Sequence, residues 1–127
     1  MRKANQTVGL VLLISLLPAV AASAADNLQE KEIEQLLSFV GDSGCDFIRN
    51  GKRHESGEAE SHLRMKYSKA RRYIDDAQDF IDRIASKSSW SGKPYQVQCP
   101  EQPARSSGPW LHAALQDIRT AKAAETK

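Results

Sequence analysis

The sequence predicts an α+β domain, mainly helical. It comprises three helices, one of them very long, and a short two-stranded antiparallel sheet closed by one disulfide. Three observations lead there. Apolar residues recur at three- and four-residue steps over three separate stretches, which is the period of a helix face. Two short segments bounded by turn residues have instead the pattern of strands. Each of those segments carries one of the only two cysteines, Cys45 and Cys99.

The N-terminus is set apart from this domain. Arg2 and Lys3 precede an apolar run from Val8 to Val20, and the small residues Ala21-Ala22-Ser23-Ala24-Ala25 follow before the first acid, Asp26. This is the layout of a secretory signal peptide, with cleavage after Ala24 at a small-x-small triplet. The run falls short of the ~20 apolar residues that a spanning helix needs and holds Pro18 near its end. No stable membrane anchor is therefore expected once the signal is removed. Residues 1–24 are read as the signal and residues 25–127 as one small periplasmic domain, frayed beyond 121.

Removing the signal changes the charge balance. The full chain holds 18 Lys and Arg against 16 Asp and Glu, and Arg2 and Lys3 leave with the signal, so bases and acids become equal. A neutral, charge-interspersed chain offers nucleic acid no electrostatic hold, and nucleic acid is excluded as an expected partner. In an oxidising compartment two cysteines read as one disulfide. They are too far apart to have the paired spacing of a zinc site.

The elements follow in order. Asp26 with Gln29 three residues on suggests a capping box, and Ile33, Leu36, Leu37 and Val40 form one apolar stripe. Gly41 and Asp42-Ser43-Gly44 end this helix. Cys45–Arg49 reads as a short strand before the Asn50-Gly51 turn, where both residues tolerate positive φ. From about Ser56 to about Lys87 the residues Ala59, Leu63, Tyr67, Ala70, Ile74, Ala77, Ile81 and Ile84 keep helical step. A straight helix of that length would exceed ~40 Å in a domain roughly 35 Å across, so it must project or break. Opposite charges such as Arg71–Asp75 and Arg72–Asp76 suggest i, i+4 pairs on its solvent face. Tyr95-Gln96-Val97-Gln98-Cys99 alternates as a half-buried strand does. A last helix begins near Pro109 and carries Trp110, Leu111, Ala114, Leu115 and Ile118, with Trp110 expected in the core.

The combination Cys45-x-Phe47-Ile48-Arg49-Asn50-Gly51, Glu58-Ala59-x-x-His62-Leu63-Arg64-x-Lys66, Ala77-x-x-Phe80-Ile81-x-x-Ile84-Ala85-Ser86, Ser88-x-x-Ser91-Gly92-Lys93-Pro94-Tyr95-x-Val97-x-Cys99 and Trp110-Leu111-x-x-x-Leu115 resembles the YfeK-like family of small bacterial periplasmic proteins, a domain of unknown function. The resemblance runs from Cys45 to about Leu115. It implies an exported location and the fold, and supplies no mechanism. The family pattern has an aromatic after the Asn-Gly turn, where this chain has Lys52-Arg53-His54.

Three candidate chemistries remain. His54, Glu58, His62 and Lys66 recur every four residues, so a helix reaching back to His54 would put them on one face, where imidazole and carboxylate could share a metal ion as in zinc helices. Gly57 and the Asn-Gly turn argue against helix there, and the plain alternative is a polar flank with Glu58 and His62 as an ordinary pair. A hydrolase would need a serine served by His54, His62 or His112, and no Gly-x-Ser-x-Gly elbow is present. The Ser88–Tyr95 segment sets Trp90, Ser91, Lys93 and Tyr95 around a Gly-x-Pro turn, a composition that suits recognition hot spots; the alternative is that Trp90 and Tyr95 fill the core. The expected function is a non-enzymatic binding or interaction module with this loop as its contact surface. No cofactor is expected, and the partner is an envelope protein or a small ligand. A small cell-envelope hydrolase or a metal-responsive envelope protein is the alternative.

Overall fold

The computed structural model describes Gly9 and residues 20–127. Most of the stretch read as a signal peptide lies outside them. Helix α1 spans Val20–Asp42. It begins upstream of Asp26, which is therefore an interior helical residue and not a cap. The alanines before it, the best helix formers, are consistent with that. The predicted stripe is realised: Leu36 and Leu37 are wholly buried, with Ile33 and Val40 beside them. Ser43 closes the helix, its backbone N–H and its hydroxyl both donating to the Val40 carbonyl, and Gly44 follows at φ +65°.

Strand β1 (Asp46–Arg49) turns through Asn50 (φ 50°) and Gly51 (φ 78°) into β2 (Lys52–His54). Two positive φ values at the centre of a two-residue loop suit the right-handed twist of the flanking strands. Farther along the chain lie β3 (Gln96–Gln98) and β4 (Arg105–Ser106). The sheet is antiparallel with four strands in the order β2-β1-β3-β4. The expected β1–β3 pair is its centre. The expected count of two strands is corrected, because β2 and β4 are short, polar edge strands that no apolar pattern announces.

The very long helix is also corrected. Helix α2 spans Ser56–Ala70, followed by a 3₁₀ turn at Arg71–Tyr73. The next helix, α3 (Ala77–Phe80), runs on into a π-helical turn at Ile81–Ala85. The break has a local cause. The Asp76 carboxylate accepts the Asp79 N–H at 2.7 Å, and the Asp79 carboxylate accepts the Asp75 N–H at 3.1 Å. Asp76 thus caps the new helix at one of its first donors, and Asp79 reaches back to the residue before the cap. The predicted Arg71–Asp75 and Arg72–Asp76 pairs do not form; Arg71 pairs with Glu30 on α1, and Arg83 with Asp79 at 2.7 Å. Helix α4 spans Ser107–Glu125. It starts two residues before Pro109, and it continues past 121 with exposed side chains. Among the described residues there are therefore four helices where three were predicted.

The core gathers the stripe of α1, Ala59 and Leu63 of α2, Phe80, Ile81 and Ile84, Phe47 and Val97 of the sheet, and Leu111 and Leu115 of α4. Trp110 is buried as expected and packs on Phe39 and Phe47, with ring centroids 4.7 and 5.6 Å away. Cys45 and Cys99 are joined, closing 54 residues. A loop of that length is worth about 4 kcal/mol in the chain-entropy account. The Cys45→Ala/Cys99→Ala double variant is accordingly expected to lose about 4 kcal/mol of unfolding free energy in urea. A loss under ~1 kcal/mol would mean that native strain in the bridge, or structure retained in the unfolded chain, cancels the entropic gain.

Candidate functional site

The site is built on the inner face of the sheet where α2 crosses it. In the hairpin register Phe47 stands opposite His54, so alternation turns the His54 ring inward with the Phe47 ring. His54 is only 8% exposed. Its Nδ1 lies 2.7 Å from Glu58 Oε1 in the first turn of α2. A carboxylate only accepts, so Nδ1 carries the hydrogen. The other nitrogen, Nε2, is the one buried side-chain nitrogen or oxygen among the described residues with no hydrogen-bond partner. The bond from His54 is the main cause holding the Glu58 carboxyl below its ordinary range, with the charges of Lys52 and Arg49 adding to it.

His62 stands one turn beyond Glu58 and is half-buried. Burial, then the charges of Arg49 and Lys66, hold its pKa below the ordinary histidine value. The spacing noticed in the sequence thus produces a direct His54–Glu58 pair. Helix α2 starts at Ser56, so His54 belongs to a strand and not to the helix face. Among the described residues no three His, Cys, Asp or Glu side chains converge as metal ligands.

Arg49, two residues after Phe47, shares its face. It is half-buried and forms no salt bridge among the described residues. Beneath it lies a cavity of about 90 Å³ with apolar walls of Phe47, Ile48, Ala59, Leu63 and the Tyr95 ring, and with Arg49, His54, Glu58 and His62 as polar members. A second, open depression shares Arg49, His62 and Tyr95 and extends to Lys66, Ser88 and Trp90.

Lys66 is tied down. Its Nζ donates to the carbonyls of Ile84 (2.6 Å) and Lys87 (3.1 Å) and to the Tyr95 hydroxyl (3.1 Å). Three acceptors satisfy the three N–H bonds of an ammonium and cap the end of the π-helical turn. Burial and the neighbouring Arg49 charge lower its pKa to about 8.

The Ser88–Tyr95 segment divides into two parts. Ser88 N–H donates to the Lys93 carbonyl and Gly92 N–H to the Ser88 carbonyl, both at 2.9 Å, and Lys87 bridges to Pro94. This tight loop leans on the Asn50 turn: the Ser91 hydroxyl donates to Asn50 Oδ1 at 2.6 Å, and Asn50 Nδ2 reaches Ser88 Oγ at 3.5 Å. Trp90 is 97% exposed at its tip, and Ser91 and Lys93 are also exposed. Tyr95 lies in the core, 5% exposed, and forms a cavity wall, not part of the loop surface. His112 pairs with Asp82 at 2.8 Å, far from any serine partnership. Among the described residues no serine hydroxyl bonds a histidine nitrogen. Arg49, Asn50 and Lys66 were not picked out as site residues by sequence reasoning. Asn50 reads only as half of a turn, Lys66 only as the last member of the four-residue series from His54, and Arg49 only as part of a charged, solvent-facing pattern.

Residues 27–119 match the model of a family described as "Family of unknown function (DUF5329)". The chain is also similar to the "Uncharacterized protein YfeK" of Salmonella typhimurium (strain LT2), 43% identical over 86 residues that cover 67% of this chain and 70% of that protein. No solved structure matches.

The depressed His62 pKa has a consequence for stability. As pH falls through about 6.5 the unfolded chain takes up a proton that the folded chain still refuses, so the unfolded state gains. The urea midpoint is expected to fall as pH is lowered below that value, and His62→Gln should flatten the slope. An unchanged slope in His62→Gln would place the burial cost elsewhere.

Proposed function

The chain belongs to this family of unknown function, DUF5329, and from that premise we propose an exported, periplasmic, non-enzymatic binding module. Its contact surface is the face where the Asn50-Gly51 turn meets the Ser88–Lys93 loop. One observation carries the reading: Trp90, almost wholly exposed, stands on a loop already fixed by its own backbone bonds and by Asn50. A large exposed aromatic gains much on burial by a partner, and a loop held in shape beforehand loses little entropy on binding. Lys93 beside it adds a cation to the face. Export is supported by the basic, apolar and small-residue order of the N-terminus and by a disulfide of the kind that persists in oxidising compartments. No described helix is long and apolar enough to cross a membrane.

A hydrolytic reading has one observation in its favour. Glu58 orients His54 and leaves Nε2 without a partner, as a general base requires. Among the described residues no hydroxyl or thiol bonds that nitrogen to serve as nucleophile, so the binding reading is preferred. Turnover of an ester or amide that vanishes in His54→Gln would reverse the order.

Protein purified from the periplasm is expected to have the mass of residues 25–127 with both cysteines oxidised; retention of residues 1–24 would overturn the export reading. Immobilised in that form, it should retain an envelope component that Trp90→Ala/Lys93→Ala binds at least ~30-fold more weakly, the loss of a hot spot worth about 2 kcal/mol or more. Equal retention by both forms would remove the loop from the contact surface.

A further inference from the structure

We propose that the cavity beneath Arg49 binds an acylated amino acid carboxylate with a small aliphatic side chain, either as a free N-acyl amino acid or as the C-terminal residue of a peptide. The inference rests on the cavity and not on Trp90, so it stands or falls apart from the contact surface.

Size comes first. An apolar cavity of about 150 Å³ takes a benzene ring of six carbons, so the cavity of about 90 Å³ here has room for three or four. Its walls, Phe47, Ala59 and Leu63, are apolar and select an aliphatic group over a polar one.

Charge comes next. Arg49 lines both the cavity and the adjoining open depression. It is half-buried without a carboxylate partner among the described residues; Arg53, Arg64, Arg71, Arg83 and Arg119 all have one, and the other two without, Arg72 and Arg105, are exposed. A guanidinium fork in that position matches the two oxygens of a carboxylate. The one acid on the wall, Glu58, is engaged by His54. The Arg49 charge already acts on its surroundings, contributing to the lowered pKa of His62 and of Lys66.

The third element is the unpartnered His54 Nε2. It belongs to a side chain more than nine-tenths buried that lines this cavity. With its hydrogen on Nδ1, the ring offers an acceptor at Nε2, and a buried acceptor without a donor is costly. An amide N–H next to the ligand's carboxylate supplies that donor, which a simple fatty acid lacks. Aliphatic side chain, carboxylate and amide N–H occur together in an N-acyl valine or leucine.

Calorimetric titration of the full oxidised protein with N-acetylvaline, isovalerate, N-acetylvaline amide and the tripeptide Gly-Ala-Val tests this. N-acetylvaline and Gly-Ala-Val are expected to bind. Isovalerate, without the N–H, and N-acetylvaline amide, without the carboxylate, should each bind at least tenfold more weakly. Tighter binding of Gly-Ala-Val than of N-acetylvaline identifies a peptide terminus as the natural ligand; equal binding identifies the single acylated residue. Arg49→Leu should lose at least tenfold in affinity for N-acetylvaline. Ala59→Leu, which keeps Arg49 but fills the cavity, should lose as much and decides the matter if Arg49→Leu fails to fold. Absence of binding by both N-acetylvaline and Gly-Ala-Val at millimolar concentration overturns the proposal, as does unchanged affinity in either cavity variant.

Discussion

The register of β1 on β3 is the constraint on which the other features depend. Phe47 faces Val97, with Asp46 on Gln98 and Ile48 on Gln96, and the Cys45–Cys99 bond lies at the end of the same ladder. A slip of one residue would reverse every side chain of β1 between the two faces. Phe47 would leave the core, and Arg49 would leave the mouth of the cavity. Because β2 hangs from β1 through a two-residue turn, His54 would turn outward as well. The disulfide sits where such a slip would have to begin, so it defines the site's geometry as well as adding stability.

Around the sheet, α1 acts as a common post. Three of its acids each take an arginine from a different place: Glu30 holds Arg71, Glu34 holds Arg64 of α2, and Glu32 holds Arg119 of α4 through two bonds of 2.9 and 3.0 Å. The first two pairs are exposed, and such pairs contribute at most about 1 kcal/mol each. Glu32 is buried and would be left as an uncompensated charge without Arg119. These contacts fix the angle at which each helix meets α1, while the apolar stripe beneath them supplies most of the stabilisation. Lys66 does similar work on the other side, joining α2 to the end of the π-helical turn and to Tyr95.

Much of this could be read from periodicity. The stripe of α1, the strand before Cys99 and the last helix with its buried Trp110 each leave a repeating apolar signature, while the disulfide is read from the cysteine count and the first strand from the turn that follows it. The break at residues 71–76 left none, because Ile74 and Ala77 keep helical step across it. The same aspartates that cap α3 read equally well as partners for Arg71 and Arg72 four residues earlier. Lys52-Arg53-His54 is polar throughout, and only its pairing with β1 makes it a strand. The site shows the same division. The spacing of His54, Glu58 and His62 was visible, but the direction in which His54 points is set by a hairpin register. Arg49 and Lys66 looked like surface charges. Their part in the site arises from residues far away in the chain, Tyr95 and the Ile84 carbonyl among them, which no local pattern announces.

The two tryptophans stand at opposite limits. Trp90 is 97% exposed and Trp110 only 8%, the latter wedged between Phe39 and Phe47. Indole emission shifts to longer wavelength in water and to shorter wavelength in an apolar surround, so the two rings emit apart, and a dissolved quencher reaches one and spares the other. The short-wavelength component reports whether the core is assembled. The long-wavelength component reports whether the loop face is covered. The protein therefore carries an intrinsic optical label on each of its two levels of organisation, and occupancy of the surface can be followed separately from integrity of the fold in a single unlabelled sample.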